Sequence, residues 1–162
     1  MTRSARDPVS PDAVIRSATF AELDAATLYA ILQLRSDVFV VEQRCTYRDL
    51  DGRDTEPATR HLWIARPERA VGAYLRMVAE GDGITRIGRV VTAPELRGRG
   101  FADRLVRHAV AAAPGVVVAA AQAHLADWYG RRGFVVCGSA FVEDGIAHVP
   151  MRRDPRGAGW TG

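Results

Sequence analysis

The sequence predicts an α/β domain of the mixed α+β kind, with three layers: helices on both faces of one central, mixed and mostly antiparallel sheet. Three observations carry that prediction. Apolar residues recur at strand or helix spacing in the order strand, helix, three strands, helix, strand, helix, two strands. The three consecutive strands of the first half are separated by short polar turns, which suits antiparallel pairing. In the second half strands alternate with helices, which is the pattern of crossovers.

Ala13 to Ser17 reads as a short first strand. Thr19 and Glu22 have capping-box spacing, so a long helix is expected to open there. Leu23, Thr27, Ala30, Ile31, Leu34, Val38 and Val41 share one helical face, which carries that helix into the run ending at Cys45. A polar loop follows with four acids, Asp49, Asp51, Asp54 and Glu56. Its glycine falls too early for a calcium-binding EF-hand, and the loop reads as a solvated connector. His61 to Arg66 and Ala70 to Glu80 are strands joined at Pro67-Glu68-Arg69, and Gly81-Asp82-Gly83 turns into the central strand, Ile84 to Val91.

From Phe101 an amphipathic helix begins, with Phe101, Leu105, Ala109 and Ala112 on one face, and Pro114-Gly115 stops it. Val116 to Ala121 is a buried strand. Ala123 to Arg132 is a helix closed by Gly133, and Phe134 to Ser139 and Ile146 to Arg152 are the last strands, with Asp144-Gly145 as a hairpin turn. Pro150 cannot donate a ladder bond, so a bulge is expected at that point of the last strand. Residues 13–153 form the single domain, between a flexible segment at 1–12 and a flexible tail at 154–162.

The chemistry concentrates where the central strand meets the next helix. Pro94 breaks the strand, and Arg97-Gly98-Arg99-Gly100 makes a tight turn into Phe101. A strand feeding a glycine turn that opens a helix is an anion site, because the free amides of the first turn point outward and the helix dipole favours negative charge. Gly98 and Gly100 lack a Cβ, so a phosphate can approach the backbone, and Arg97 and Arg99 add charged donors. A Walker loop is excluded, since the chain has no lysine. The dinucleotide fingerprint is excluded too, because Asp103 stands where its third glycine belongs.

Composition narrows the function classes further. The chain has 162 residues, enough for one real core, and all 22 basic residues are arginine, giving a net charge of +3. Those arginines are scattered, and neither an RNA-binding aromatic signature nor a zinc pattern accompanies them, so no nucleic-acid partner is expected. No apolar run reaches the ~20 residues of a membrane span and the N-terminus lacks a signal core, so no membrane partner is expected and the cytoplasm is the default compartment. Cys45 and Cys137 form neither a disulfide framework nor metal spacing, and no metal is expected. Cys137 reads as packing within a strand, Cys45 as the more exposed of the two.

Arg97-x-x-Gly100-x-Ala102 resembles the acyl-CoA pyrophosphate loop of the GNAT superfamily of N-acetyltransferases, Q/R-x-x-G-x-G/A. The stretch Ala126 to Phe134 looks like a second superfamily motif, which ends Y-x-x-x-G-F. Leu34 to Asp54 with His61-Leu62, and Glu143 to His148, are similar to the ElaA-like branch. The resemblance spans nearly the whole chain. It implies the GNAT-like three-layer fold, acetyl-CoA as co-substrate, and transfer of an acetyl group to a primary amine of a small molecule or peptide. It also implies cofactor binding by Val90, Val91, Arg97, Gly98, Arg99, Gly100, Phe101 and Ala102, with the pantetheine arm along Val90 and Val91 where the central strands splay apart. Gln122 stands where many members have a cofactor-contacting asparagine, and Arg104 with His108 is a candidate for the 3′-phosphate of CoA.

Carried over by position, Tyr129 is the general acid for the leaving thiolate. The central strand reads Ile84-Thr85-Arg86-Ile87-Gly88-Arg89-Val90, without the glutamate that serves many members as base. Glu42 or His61 is the expected substitute, with Glu143 and His148 next, and the acidic loop is expected to attract a cationic acceptor. The alternative class is a non-catalytic acyl-CoA-binding or sensor module on the same fold. A homodimer is an assembly the chain could form.

Overall fold

Eight strands form one sheet in the computed structural model, which describes residues 13–155. They are β1 (Ile15–Ala18), β2 (Arg60–Arg66), β3 (Arg69–Gly81), β4 (Ile84–Thr92), β5 (Val116–Gln122), β6 (Val135–Val136), β7 (Phe141–Glu143) and β8 (Ile146–Arg153). The order is β1-β2-β3-β4-β5-β8-β6, with β7 also on β8. Among these pairs β4–β5 is parallel and the rest antiparallel, and the parallel step is bridged by helix α2 (Phe101–Ala112). The expected segment 1–12, and the tail from 156 on, lie outside the described residues.

Residues 71–78 of β3 are buried in succession, so both alternating faces of the strand are covered. That is the three-layer arrangement the element order implied. Helix α1 (Ala25–Arg35) and α2 both pack on β3 and β4, while α3 (Ala126–Gly130) packs on β5 and β6. In α2, Phe101, Leu105, Val106 and Ala109 are buried, the amphipathic stripe expected from the sequence; Ala112 is exposed because the helix ends there.

The first helix differs from expectation in two ways. The Thr19–Glu22 capping box forms, but on a separate 3-10 turn (Phe20–Glu22), and Asp24 caps α1 by accepting from the Thr27 amide at 2.8 Å. After Arg35 the chain continues as a π-helix, Ser36–Glu42, closed by a hydrogen bond from the Gln43 amide back to the Val38 carbonyl at 2.8 Å. The wider turn rotates the face. Val41, placed inside by a 3.6 period, is 69% exposed, and Phe39 is buried instead.

Other expectations are corrected by local causes. The helix after β5 is split into a 3-10 turn (Ala123–Leu125) and the short α3, and Gly133, with φ 85°, turns the chain beyond it. The strand expected over Phe134 to Ser139 is only β6; the sequence reading missed β7, whose hairpin with β8 turns at Asp144-Gly145. Pro150 causes no bulge: the β5–β8 register is continuous from Val117/Arg153 to Gln122/His148. Its carbonyl accepts from the Cys137 amide, so the missing N–H faces that same edge, where β6 has already ended, and not β5. The cysteines are reversed, Cys45 buried where the π-helix unwinds and Cys137 exposed just past β6.

Candidate active site

β4 and β5 pair only at Ile84/Val116, Thr85/Val117 and Arg86/Val118, and then diverge. A bulge in β4 lies at the divergence: Tyr74 pairs with Val91 and Arg76 with Gly88, so Arg89 and Val90 together face the single residue Leu75. Arg89 has φ 52°, a left-handed conformation that bends the strand and leaves the bulge outside the ladder. Two cavities flank this fork. One, of about 490 Å³, reaches to the glycine turn; the other, of about 380 Å³, reaches to the acidic loop and the β7–β8 hairpin. Gln43, Val90, Leu125 and Tyr129 line both, forming the wall where the two meet.

The larger cavity has the geometry of a backbone-built anion site. Gly98 and Gly100 have φ 75° and 77°, conformations that cost most residues about 1–2 kcal/mol and that glycine adopts freely. Gly100 stands at the N-cap of α2 with no side-chain acceptor, so the amides of the first turn carry no cap. Arg97 is held beside them: its Nε donates to the Thr92 carbonyl at 3.2 Å, and its two terminal nitrogens donate to Glu42 at 2.8 and 3.1 Å. Asp103 also lines this cavity, but its carboxylate is taken up by arginines, accepting from Arg107 at 2.9 Å and from Arg132 at 2.6 Å, which ties the start of α2 to the turn after α3. Helix dipole, open amides and a glycine cradle together fit a pyrophosphate.

The smaller cavity is side-chain-built, and its loop is not the solvated connector expected. Asp49 and Asp54 are buried, and Arg35, fully buried on α1, donates to Asp49 at 3.0 Å and to Asp54 at 2.7 Å. Arg76 of β3 donates to both oxygens of Asp51 at 2.8 and 2.7 Å, and to Asp54 at 3.1 Å. Arg89, at the bulge, lies 2.8 Å from Asp49 and stacks its guanidinium 5.2 Å from the Tyr47 ring centre. Burial works to raise the Asp54 carboxyl, but Arg35 and Arg76 outweigh it and hold it below its ordinary value. These acids neutralise arginines, so they supply no free field for a cationic acceptor. The opposite wall is the hairpin, with Glu143 and His148 lining the cavity. Asp144 ties the two walls together, accepting from Thr46 Oγ1 at 2.6 Å and from the Tyr47 amide at 2.7 Å.

Tyr129 sits on the shared wall, edge-on to Trp128 and Phe134. Burial pushes its phenol up to about 12, so it is protonated at neutral pH, and no group among the described residues bonds its hydroxyl. Val90, Val91, Arg97, Gly98, Gly100, Phe101, Ala102 and Glu42 come together in the larger cavity, while Gln122 lines the smaller one. Arg99 is exposed and lines neither. Arg104 donates to the Ala13 carbonyl and His108 is exposed.

Glu42 is therefore bonded to Arg97 of the glycine turn, in the larger cavity and not the smaller one. His61 is buried and lines neither cavity. Its Nε2 lies 3.0 Å from the Asp54 carbonyl, which only accepts, so Nε2 carries the proton and Nδ1 accepts from the Tyr74 hydroxyl at 2.8 Å. Burial lowers its pKa, and no lone pair is left for an acceptor. Gln43, Tyr47 and Arg89 were not found by sequence reasoning. The π-helix aims Gln43, and ordinary helical periodicity conceals it.

Among the described residues no group of three or more potential ligands could hold a metal, and no helix is long and apolar enough to cross a membrane. Residues 33–155 match the family model described as the acetyltransferase (GNAT) domain. The UPF0039 protein Rv2851c of Mycobacterium tuberculosis is 44% identical over 140 residues, covering 84% of this chain and 90% of its own. Protein ElaA of Escherichia coli is 37% identical over 141 residues, covering 83% and 92%. The crystal structure of an acyl-CoA N-acyltransferase from Pseudomonas aeruginosa superposes with a TM-score of 0.82 at 40% identity, covering 87% of this chain and 99% of that one.

Proposed function

The chain belongs to the GNAT family of acyl-CoA N-acyltransferases, and from that premise we propose that it moves an acetyl group from acetyl-CoA to a primary amine of a small molecule or peptide by direct attack on the thioester. The observation that carries this is the pair of cavities sharing one wall at Val90 and Tyr129, the first ending in the glycine turn that opens α2 and the second reaching the acidic loop and the β7–β8 hairpin. The amides from Gly98 to Ala102 and the Arg97 side chain bind the pyrophosphate, and the fork at Val90 and Val91 takes the pantetheine arm. A backbone N–H of the β4 bulge receives the carbonyl oxygen as negative charge develops. Tyr129, kept protonated by burial, gives its proton to the departing thiolate. Cytoplasmic acetyl-CoA is the supply we envisage.

Thiol release from acetyl-CoA across a panel of small amines and peptides tests the reading. Tyr129→Phe should lower turnover by roughly 10²–10⁴-fold, with CoA affinity nearly unchanged by calorimetry. Undiminished turnover would return Tyr129 to a packing role. CoA binding without thiol release on any amine would favour the non-catalytic acyl-CoA sensor instead, and no CoA binding at all would end both.

A further inference from the structure

We infer that His148 is the catalytic base that takes the proton from the acceptor amine, an assignment that rests on the acyl-transfer reading above. A lysine-like amine has a reference pKa of about 10.4, so at neutral pH it arrives protonated and must lose that proton before it can attack. β4 offers no carboxylate, Glu42 is bonded to Arg97, and both nitrogens of His61 are engaged.

His148 is the reverse of His61. Its Nδ1 lies 2.8 Å from the Ile146 carbonyl, which only accepts, so the proton sits on Nδ1 and the lone pair on Nε2. Nε2 has no partner among the described residues, and it is not among the buried polar atoms closed off without one. The residue is 8% exposed and lines the smaller cavity together with Tyr129. Its ring is fixed by stacking on Phe141 at 5.5 Å and 16°, and its backbone by neighbours on both edges, Gln122 of β5 and Phe141 of β7. A mostly buried imidazole that lines an open cavity, is held in orientation and keeps one lone pair free is what a base requires.

The balance is simple. Nε2 takes one proton from the ammonium, and the neutral nitrogen bonds to the thioester carbon. The C–S bond then breaks, and the thiolate takes the Tyr129 proton. The second proton on nitrogen restores Tyr129 as the amide forms, and His148 returns its proton to water.

The groups facing His148 keep their charge through the range where an imidazole titrates. Arg48, Arg76, Arg86 and Arg89 are arginines, which are not deprotonated in proteins. Burial works to raise the Asp51 carboxyl, but Arg76, the Arg53 amide and Arg89 hold it well below the usual range. Burial pushes up Tyr47 and Tyr129 alike. Glu143 of β7 is the remaining titratable lining group, so Glu143→Gln serves as the control.

Two measurements decide the matter. Long-range ¹⁵N–¹H NMR of the wild type reads the His148 tautomer without any acceptor; Nδ1–H with a bare Nε2 is expected, and an Nε2–H ring overturns the assignment. With the first amine of the panel that turns over, His148→Gln should lower kcat/KM by roughly 10²–10⁴-fold and abolish its acidic limb, leaving CoA affinity unchanged. His148→Ala should be partly rescued by added imidazole, and Glu143→Gln should keep the limb. A His148→Gln enzyme that retains rate and limb overturns the proposal while acyl transfer stands. A wild type that releases thiol with no amine removes the parent reading and this role with it.

Discussion

The two walls of the fork solve opposite problems by opposite means. The glycine turn, Arg97 to Ala102, is local: the residues after Arg97 present open amides because two glycines take left-handed conformations and a helix starts behind them. The wall proposed for the acceptor is assembled from afar. Arg35 reaches Asp49 and Asp54 across 14 and 19 residues, Arg76 reaches Asp51 across 25, and Asp144 reaches Tyr47 across 97. In the proposed reading a cofactor common to many enzymes is met by backbone, whose geometry depends little on side chains. In the same reading the acceptor that sets specificity is met by side chains, and these must be held by one another.

The sharpest way to break this contrast is at Arg35. Arg35→Met should cost about 3–5 kcal/mol, the usual result of leaving buried charges without their partner, read as the shift in urea unfolding. In variant molecules that still fold, CoA affinity should survive, since the glycine turn does not touch this network. A loss under 1 kcal/mol would restore the solvated-connector reading of the loop. The network also fixes a pH response. Asp51 and Asp54 have folded-state pKa values depressed below the unfolded ones. Their contribution is therefore complete above the unfolded aspartate value of about 3.9, and it fades as pH falls through the lower folded values. Acid should destabilise the wild type more steeply than Arg35→Met over that window.

At the other wall, Gly100→Glu adds a Cβ at φ 77° and a negative charge at the start of α2. CoA affinity should fall roughly tenfold to a hundredfold, while the acid-loop network and its urea midpoint change far less. Equal affinity by calorimetry would remove the turn from the cofactor site.

The same contrast explains what was legible in the sequence. The element order as far as β5, the antiparallel first half, the crossover through α2 and the glycine turn were read correctly, because each depends on neighbours a few residues apart. The acceptor wall was misread. Four acids in a polar stretch look solvated until Arg35, Arg76 and Arg89, each on a different element, are brought against three of them, Asp49, Asp51 and Asp54. Charge matching is a clue in principle: three acids in one loop and three arginines at otherwise apolar positions of a helix and two strands. The π-helix was hidden because its residues also fit an ordinary helix, and only a packed Phe39 reports the change. His61 and His148 looked alike as letters, yet hydrogen bonds set by the fold leave one lone pair occupied and the other free.

The smallest expected effect tests how the two parts of the acceptor wall are joined. Asp144 occupies a left-handed turn position, φ 50°, which Asp and Asn tolerate better than most residues, so Asp144→Asn preserves the hairpin and removes the charge. What weakens is the pair of bonds to Thr46 and to the Tyr47 amide. Because the site is exposed, global stability should change by no more than about 1 kcal/mol. Locally the effect is larger in proportion: amide exchange at Tyr47 should accelerate by about tenfold, the equivalent of ~1.4 kcal/mol. The Arg35 bonds behind the loop should hold the amides near Asp54 at their wild-type rates. Asp82→Asn supplies the comparison, because Asp82 stands at the same conformation, φ 51°, in the β3–β4 turn and makes no side-chain bond among the described residues. If the tether positions Tyr47 for the acceptor, Asp144→Asn also raises the acceptor KM several-fold at unchanged CoA affinity, and Asp82→Asn does neither. Unchanged Tyr47 exchange in Asp144→Asn would mean that the hairpin and the loop stand independently, each held by its own contacts.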